Sequence, residues 1–138
     1  MTQVALSTES RTIAGVVLLT IVTIESGGWF LTRVARGAAP MTDFQRSFAR
    51  AGHGHAGVLV LLSLIGLLYA DATGLTGAPL WIARLGVPVA AILMSAGFFA
   101  ASAGRDRTEP NQAIWVVWLG ALCLAAGVIA LGLGLLTA

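Results

Sequence analysis

Charge is scarce in this chain. Only 10% of its 138 residues are Asp, Glu, Lys or Arg, against about 25% in a soluble domain. So few charges cannot cover a water-facing surface, which excludes an ordinary soluble domain. Lysine is absent altogether: the eight basic residues are all arginine, the net charge is +2 and the sequence pI is about 9.5. No basic stripe with interleaved aromatics accompanies them, so no nucleic-acid partner is expected. Cys123 is the sole cysteine and lies in an apolar run, which excludes an intrachain disulfide, a CxxC metal site and a CxxCH haem attachment. No Ser-His-Asp or Cys-His arrangement presents a nucleophile. Gly27-Gly28 has none of the surroundings of a phosphate loop. A hydrolase or an ATPase therefore has no support.

What the chain has in abundance is apolar sequence, 57% of the residues with a mean hydropathy of +0.89. Four runs are long enough for the roughly 20 residues that cross a hydrocarbon core: 12–35, 43–70, 80–103 and 111–136. Lipid offers backbone groups no partners, so each run must close its own hydrogen bonds as a helix. The first run has no basic stretch before it, Glu25 interrupts it and no small-residue cleavage site follows, so it reads as a span rather than a signal peptide. Gly and Pro punctuate the connections "RGAAPMTD", "DATGLTGAP" and "AGRDRTEPN". Thr42 or Asp43 suits the cap of the second helix, Pro79 the start of the third and Pro110 the start of the fourth. Short connections make successive helices antiparallel neighbours. The expected fold is all-α: one integral membrane domain over 1–138, an up-down four-helix bundle that assembles into an oligomer.

Arginine is uneven between the two ends. Arg33, Arg36, Arg46, Arg50, Arg105 and Arg107 flank the first and third connections, while Arg11 and Arg84 lie toward the other side. The positive-inside rule then places the first and third connections in the cytoplasm, in a bacterial-type plasma membrane, with both termini outside. Rows of small residues at four-residue spacing, Gly97/Ala101, Ala96/Ala100/Gly104 and Ala126/Ala130/Gly134, invite close helix approach, within the bundle or between copies. Pro88 inside the third run frees the Arg84 carbonyl and predicts a kink.

Glu25 is the costliest residue, since a charge at the centre of a span costs at least about 2.5–3.5 kcal/mol on insertion scales. It needs a partner, a cavity or a proton. Glu25 lies eleven residues before Arg36 and His53 eleven after Thr42, so both sit roughly 16 Å from the same connection. A Glu–His contact at that depth is open to three readings: a metal site, a proton-carrying pair or a satisfied polar contact. His53 and His55, the chain's two histidines, are about 200° apart on a helix. They cannot clasp one metal from one straight helix and instead face two different surroundings. Gly52, Gly54, Ala56 and Gly57 leave room beside them. Arg50, one turn before His53, is placed to meet an acidic group on a ligand or to mark the interface.

At "HGHAGVLVLLSLIGLL" the chain resembles the haem–copper oxidase superfamily. The catalytic subunit there has twelve helices in three arcs of four, and one helix carries an H-x-H whose histidines point to opposite sides and bind two haems. The resemblance covers that short stretch and includes none of the copper-site motif. It implies one four-helix arc, a homotrimer, and haem b between copies with a histidine from each. It also implies Arg46 and Arg50 as partners of the haem propionates, and Glu25 as a group that bonds a ligand or handles protons. The functional expectation is thus a membrane haem- or metal-binding protein for electron transfer. If the site holds a bare ion, Glu25, His53 and His55 would be its ligands and Cu, Fe or Zn the metal. The competing expectations are a proton- or ion-coupled transporter built on Glu25 and His53, and a structural accessory subunit.

Overall fold

The computed structural model describes residues 6–138, which form four helices: α1 (Thr8–Ala35), α2 (Asp43–Ala70), α3 (Gly77–Ala101) and α4 (Ile114–Leu136). All four are long and apolar enough to cross a membrane. The described chain contains no strand. The α2 bounds agree with the sequence reading. The other three spans shift by three or four residues at their starts, and α3 ends two residues early.

Local chemistry explains where the helices begin. The Ser7 hydroxyl accepts from Ser10 N–H, satisfying one orphan donor at the start of α1. Thr42 and Gln45 form a reciprocal capping box at the start of α2. The fourth helix begins at Ile114 rather than Asn111. Asn111 is held outside it, its Nδ2 donating to Ala100 O at 2.8 Å while its Oδ1 accepts from Ala113 N–H at 2.7 Å. Pro88 is accommodated within a continuous α3.

Two polar junctions pin the antiparallel order. At one end the Gln45 amide donates to Ser102 O at 3.0 Å and Gly104 O at 2.8 Å, and the Thr42 hydroxyl donates to Arg107 O. These bonds tie the first connection to the third. At the opposite end, Ser7, the cap before α1, and Ser10 within it bond to Asp71 after α2, which pairs with Arg84 of α3.

Between these ends, α3 and α4 form the tightest pair. A Cβ on Gly86 would stand 2.5 Å from Gly127 Cα, one on Gly97 2.8 Å from Val117 N, and one on Gly120 2.8 Å from Met94 N. Backbones that close require glycine, which is how helices gain dispersion contacts in a medium that gives them no hydrophobic drive. Of the predicted small-residue rows, Gly97, Ala101 and Gly134 are buried, whereas Ala96, Ala100 and Ala126 are exposed. The main apolar core joins Leu59 of α2, Val87, Ala91 and Met94 of α3 and Val117 of α4. In contrast, α1 packs along α2 and buries only Ser10, Val17 and Val34.

Candidate functional site

The loose seating of α1 leaves a cleft of about 570 Å³ between α1, α2 and α3. Its length follows α1 from Thr12 to Gly27, fifteen residues or roughly 22 Å. The walls are chiefly aliphatic, with His53, Ser95, Pro88 and Phe99 among them. The volume and lining match those of sites for small apolar ligands, which pair an apolar body with a few placed polar groups.

His53 is the imidazole of this cleft. It packs on paired glycines of α1: a Cβ on Gly27 would lie 3.4 Å from its Nδ1, and one on Gly28 3.4 Å from its Cε1. The imidazole thus lies against the α1 backbone at these two positions. No hydrogen bond to His53 forms among the described residues. The Ser95 hydroxyl, also on the cleft wall, is buried without a partner. Most span hydroxyls behave otherwise. Thr20 donates to Val17 O at 2.6 Å, Ser63 to Leu59 O at 2.6 Å and Ser26 to Thr23 O at 2.8 Å. The other buried donor without a partner among the described residues is Arg84 Nε, which lies away from the cleft, beside Asp71.

His55 lies elsewhere. Its Nδ1–H donates to Ala51 O at 2.8 Å and its ring packs 5.0 Å from the Phe98 ring of α3. Its Nε2 makes no hydrogen bond among the described residues. The two histidines therefore meet different helices, α1 for His53 and α3 for His55, as their angular separation dictates.

Arg46, Arg50 and His53 follow one another at spacings of four and three, and Ala56 and Val60, which line the cleft, continue the same face. Arg46 is tied to Asp43 in an ion pair and donates to Met41 O at 3.3 Å. Arg50 is exposed and forms no hydrogen bond or ion pair among the described residues. One face of α2 thus carries a cationic head at the connection end and an imidazole further in.

Glu25 is brought to neither histidine. Although Gly27 and Gly28, close behind it in sequence, lie at His53, Glu25 itself is exposed. It makes no ion pair or hydrogen bond among the described residues. Nor do any three of His, Cys, Asp and Glu gather as metal ligands among them. The expected set of Glu25, His53 and His55 therefore does not assemble within one chain, because Glu25 rotates to the outer side of α1.

A second polar site was not anticipated from the sequence. Asp71 Oδ1 accepts from Arg84 Nη2 at 2.8 Å and from the Ser10 hydroxyl at 2.9 Å, while its Oδ2 accepts from Ser7 N–H at 2.8 Å. Burial alone would raise the Asp71 pKa, but the bonds from Arg84, Ser7 and Ser10 outweigh it and hold the carboxyl below its ordinary 3.8. An arginine within a span and an aspartate six residues before the next helix were the available signal. With every donor at Asp71 supplied from within the chain, this site serves as a clamp.

Comparison with protein-family models, curated proteins and solved structures finds no match.

Proposed function

We propose that this protein is a membrane-embedded haem-binding protein that carries electrons, with the cleft between α1, α2 and α3 as its cofactor site. The observation that carries the reading is the single face of α2 on which Arg46, Arg50 and His53 stand in line above an apolar cavity. That is the donor order a haem needs: cations for propionates at the membrane surface, an imidazole for iron, and aliphatic walls for the macrocycle. Bound there, haem b would supply one-electron transfer between its ferric and ferrous states. His53 would hold the iron, Arg50 would be the free propionate partner and Arg46 a second one after exchange with Asp43. The paired glycines of α1 seat the imidazole beside the cavity, and the partnerless Ser95 hydroxyl offers one further donor. A bare Cu, Fe or Zn site finds less support, because no three of His, Cys, Asp and Glu gather among the described residues.

The arginine asymmetry supports placing the first and third connections, and therefore Arg46 and Arg50, on the cytoplasmic face of a bacterial-type membrane. The propionate end of the cofactor would then face the cytoplasm.

Haem-replete expression, purification in mild detergent and an absorption spectrum test the reading. Wild type should show a Soret band with stoichiometric iron, His53→Ala should lose it, and His55→Ala should keep it. A wild-type protein with neither Soret absorption nor iron overturns the proposal and leaves a structural subunit as the better account.

A further inference from the structure

Glu25 lies ten residues inside the end of α1, about 15 Å along the helix. With helices of about 42 Å against a hydrocarbon core of about 30 Å, that depth is well within lipid. Its exposure there, without a partner among the described residues, is unfavourable for a lone chain. Around it, Leu18, Val22, Glu25 and Trp29 form one exposed stripe at spacings of four, three and four. This face is separate from the cleft, and its role does not depend on haem binding.

The chain presents one outer face suited to that stripe. On α2, Gly54, Val58, Leu61 and Ile65 form an exposed stripe at spacings of four, three and four. A Cβ on Gly54 would meet nothing within 4 Å, so a neighbouring helix can approach there closely. Copies inserted in the same orientation present α1 and α2 to each other antiparallel. Counted from the first connection, Glu25 lies about 15 Å along its helix and Gly54 about 16 Å along its own. The same count brings Leu18 level with Leu61 and Val22 with Val58. Beside Gly54 lies His55, partly exposed, with Nδ1 already bonded and Nε2 free.

We infer that a second copy of this chain covers the stripe, seating α1 of one copy on the Gly54–Ile65 face of α2 in the next. The Glu25 carboxyl then meets His55 Nε2. The driving contact is polar, because the apolar members of both stripes are equally well solvated by lipid. The two surfaces differ, so the contact is head-to-tail, each copy offering α1 to one neighbour and α2 to the other.

Cysteine cross-linking in native membranes tests this. In a Cys123→Ser background, chains carrying Leu18→Cys and chains carrying Leu61→Cys are co-expressed with different tags and oxidised. A mixed-tag disulfide dimer is expected, and none when Ile129→Cys, exposed on α4, replaces Leu61→Cys. Introducing Glu25→Leu into both chains should reduce the mixed dimer at least tenfold, whereas Glu25→Gln should largely retain it. Absence of the mixed dimer, self-cross-linking of Leu18→Cys chains alone, or unchanged cross-linking with Glu25→Leu overturns the inference. The readout is independent of haem, so a negative spectrum does not affect it.

Discussion

Asp71 and Arg84 are paired at 2.8 Å with 5% and 9% of their side chains exposed. They join the end of α2 to α3, and Ser7 and Ser10 bring the start of α1 onto the same carboxylate. Three of the four helices thus share one polar clamp at the end opposite Arg50.

Breaking that clamp from one side should be costly. Arg84→Ala leaves a buried carboxylate without its cation, and about 3–5 kcal/mol of stability should be lost. Replacing both partners, Arg84→Met with Asp71→Leu, should cost less than the sum of the single changes. Denaturation of the purified protein in mixed detergent micelles measures the cycle.

The same clamp sets an acid limit. Because the folded-state pKa of Asp71 lies below its ordinary 3.8, its contribution to stability is complete above 3.8 and declines as pH falls below that value. Wild type should show a falling thermal midpoint in that acid range. Asp71→Asn should lower stability at neutral pH and flatten this part of the profile.

Gly86 and Gly127 require each other's missing side chain. Gly127→Ala would place a methyl 2.9 Å from Gly86 Cα, forcing α3 and α4 apart at a cost of about 1–3 kcal/mol. Gly132→Ala, where a Cβ meets nothing within 4 Å, should leave the thermal midpoint unchanged or slightly raised.

The two arginines above the cleft should differ in their effect on the proposed cofactor. Arg50→Gln should weaken haem retention more than Arg46→Gln, because Arg46 already spends its charge on Asp43. Haem transfer to apomyoglobin, followed by absorbance, reports the two dissociation rates. Equal rates for both variants would remove Arg50 from the site.

Much of this architecture was legible in the residues themselves. Four apolar runs in a charge-poor chain leave only helices as spanning structures, and Thr42 with Gln45 fixes the start of α2 through a local capping box. The divergence of His53 and His55 also follows from sequence, since a separation of two positions fixes their angle on any helix. Helical periodicity sets angles within a helix but leaves its rotation against its neighbours undetermined. That rotation turned Glu25 outward while Gly27 and Gly28 met His53, and it chose Gly86 and Gly127 over Ala96 and Ala126 for close contact. A helix such as α4, apolar on every side, carries no pattern that distinguishes its lipid face from its packed face. Asp71 and Arg84, thirteen residues apart across a connection, meet only because the folded ends of α1, α2 and α3 converge. Sequence alone determined the spans and the order within each helix. Tertiary packing decided which faces meet, because in lipid that choice rests on backbone approach and polar pairing rather than on burial of apolar surface.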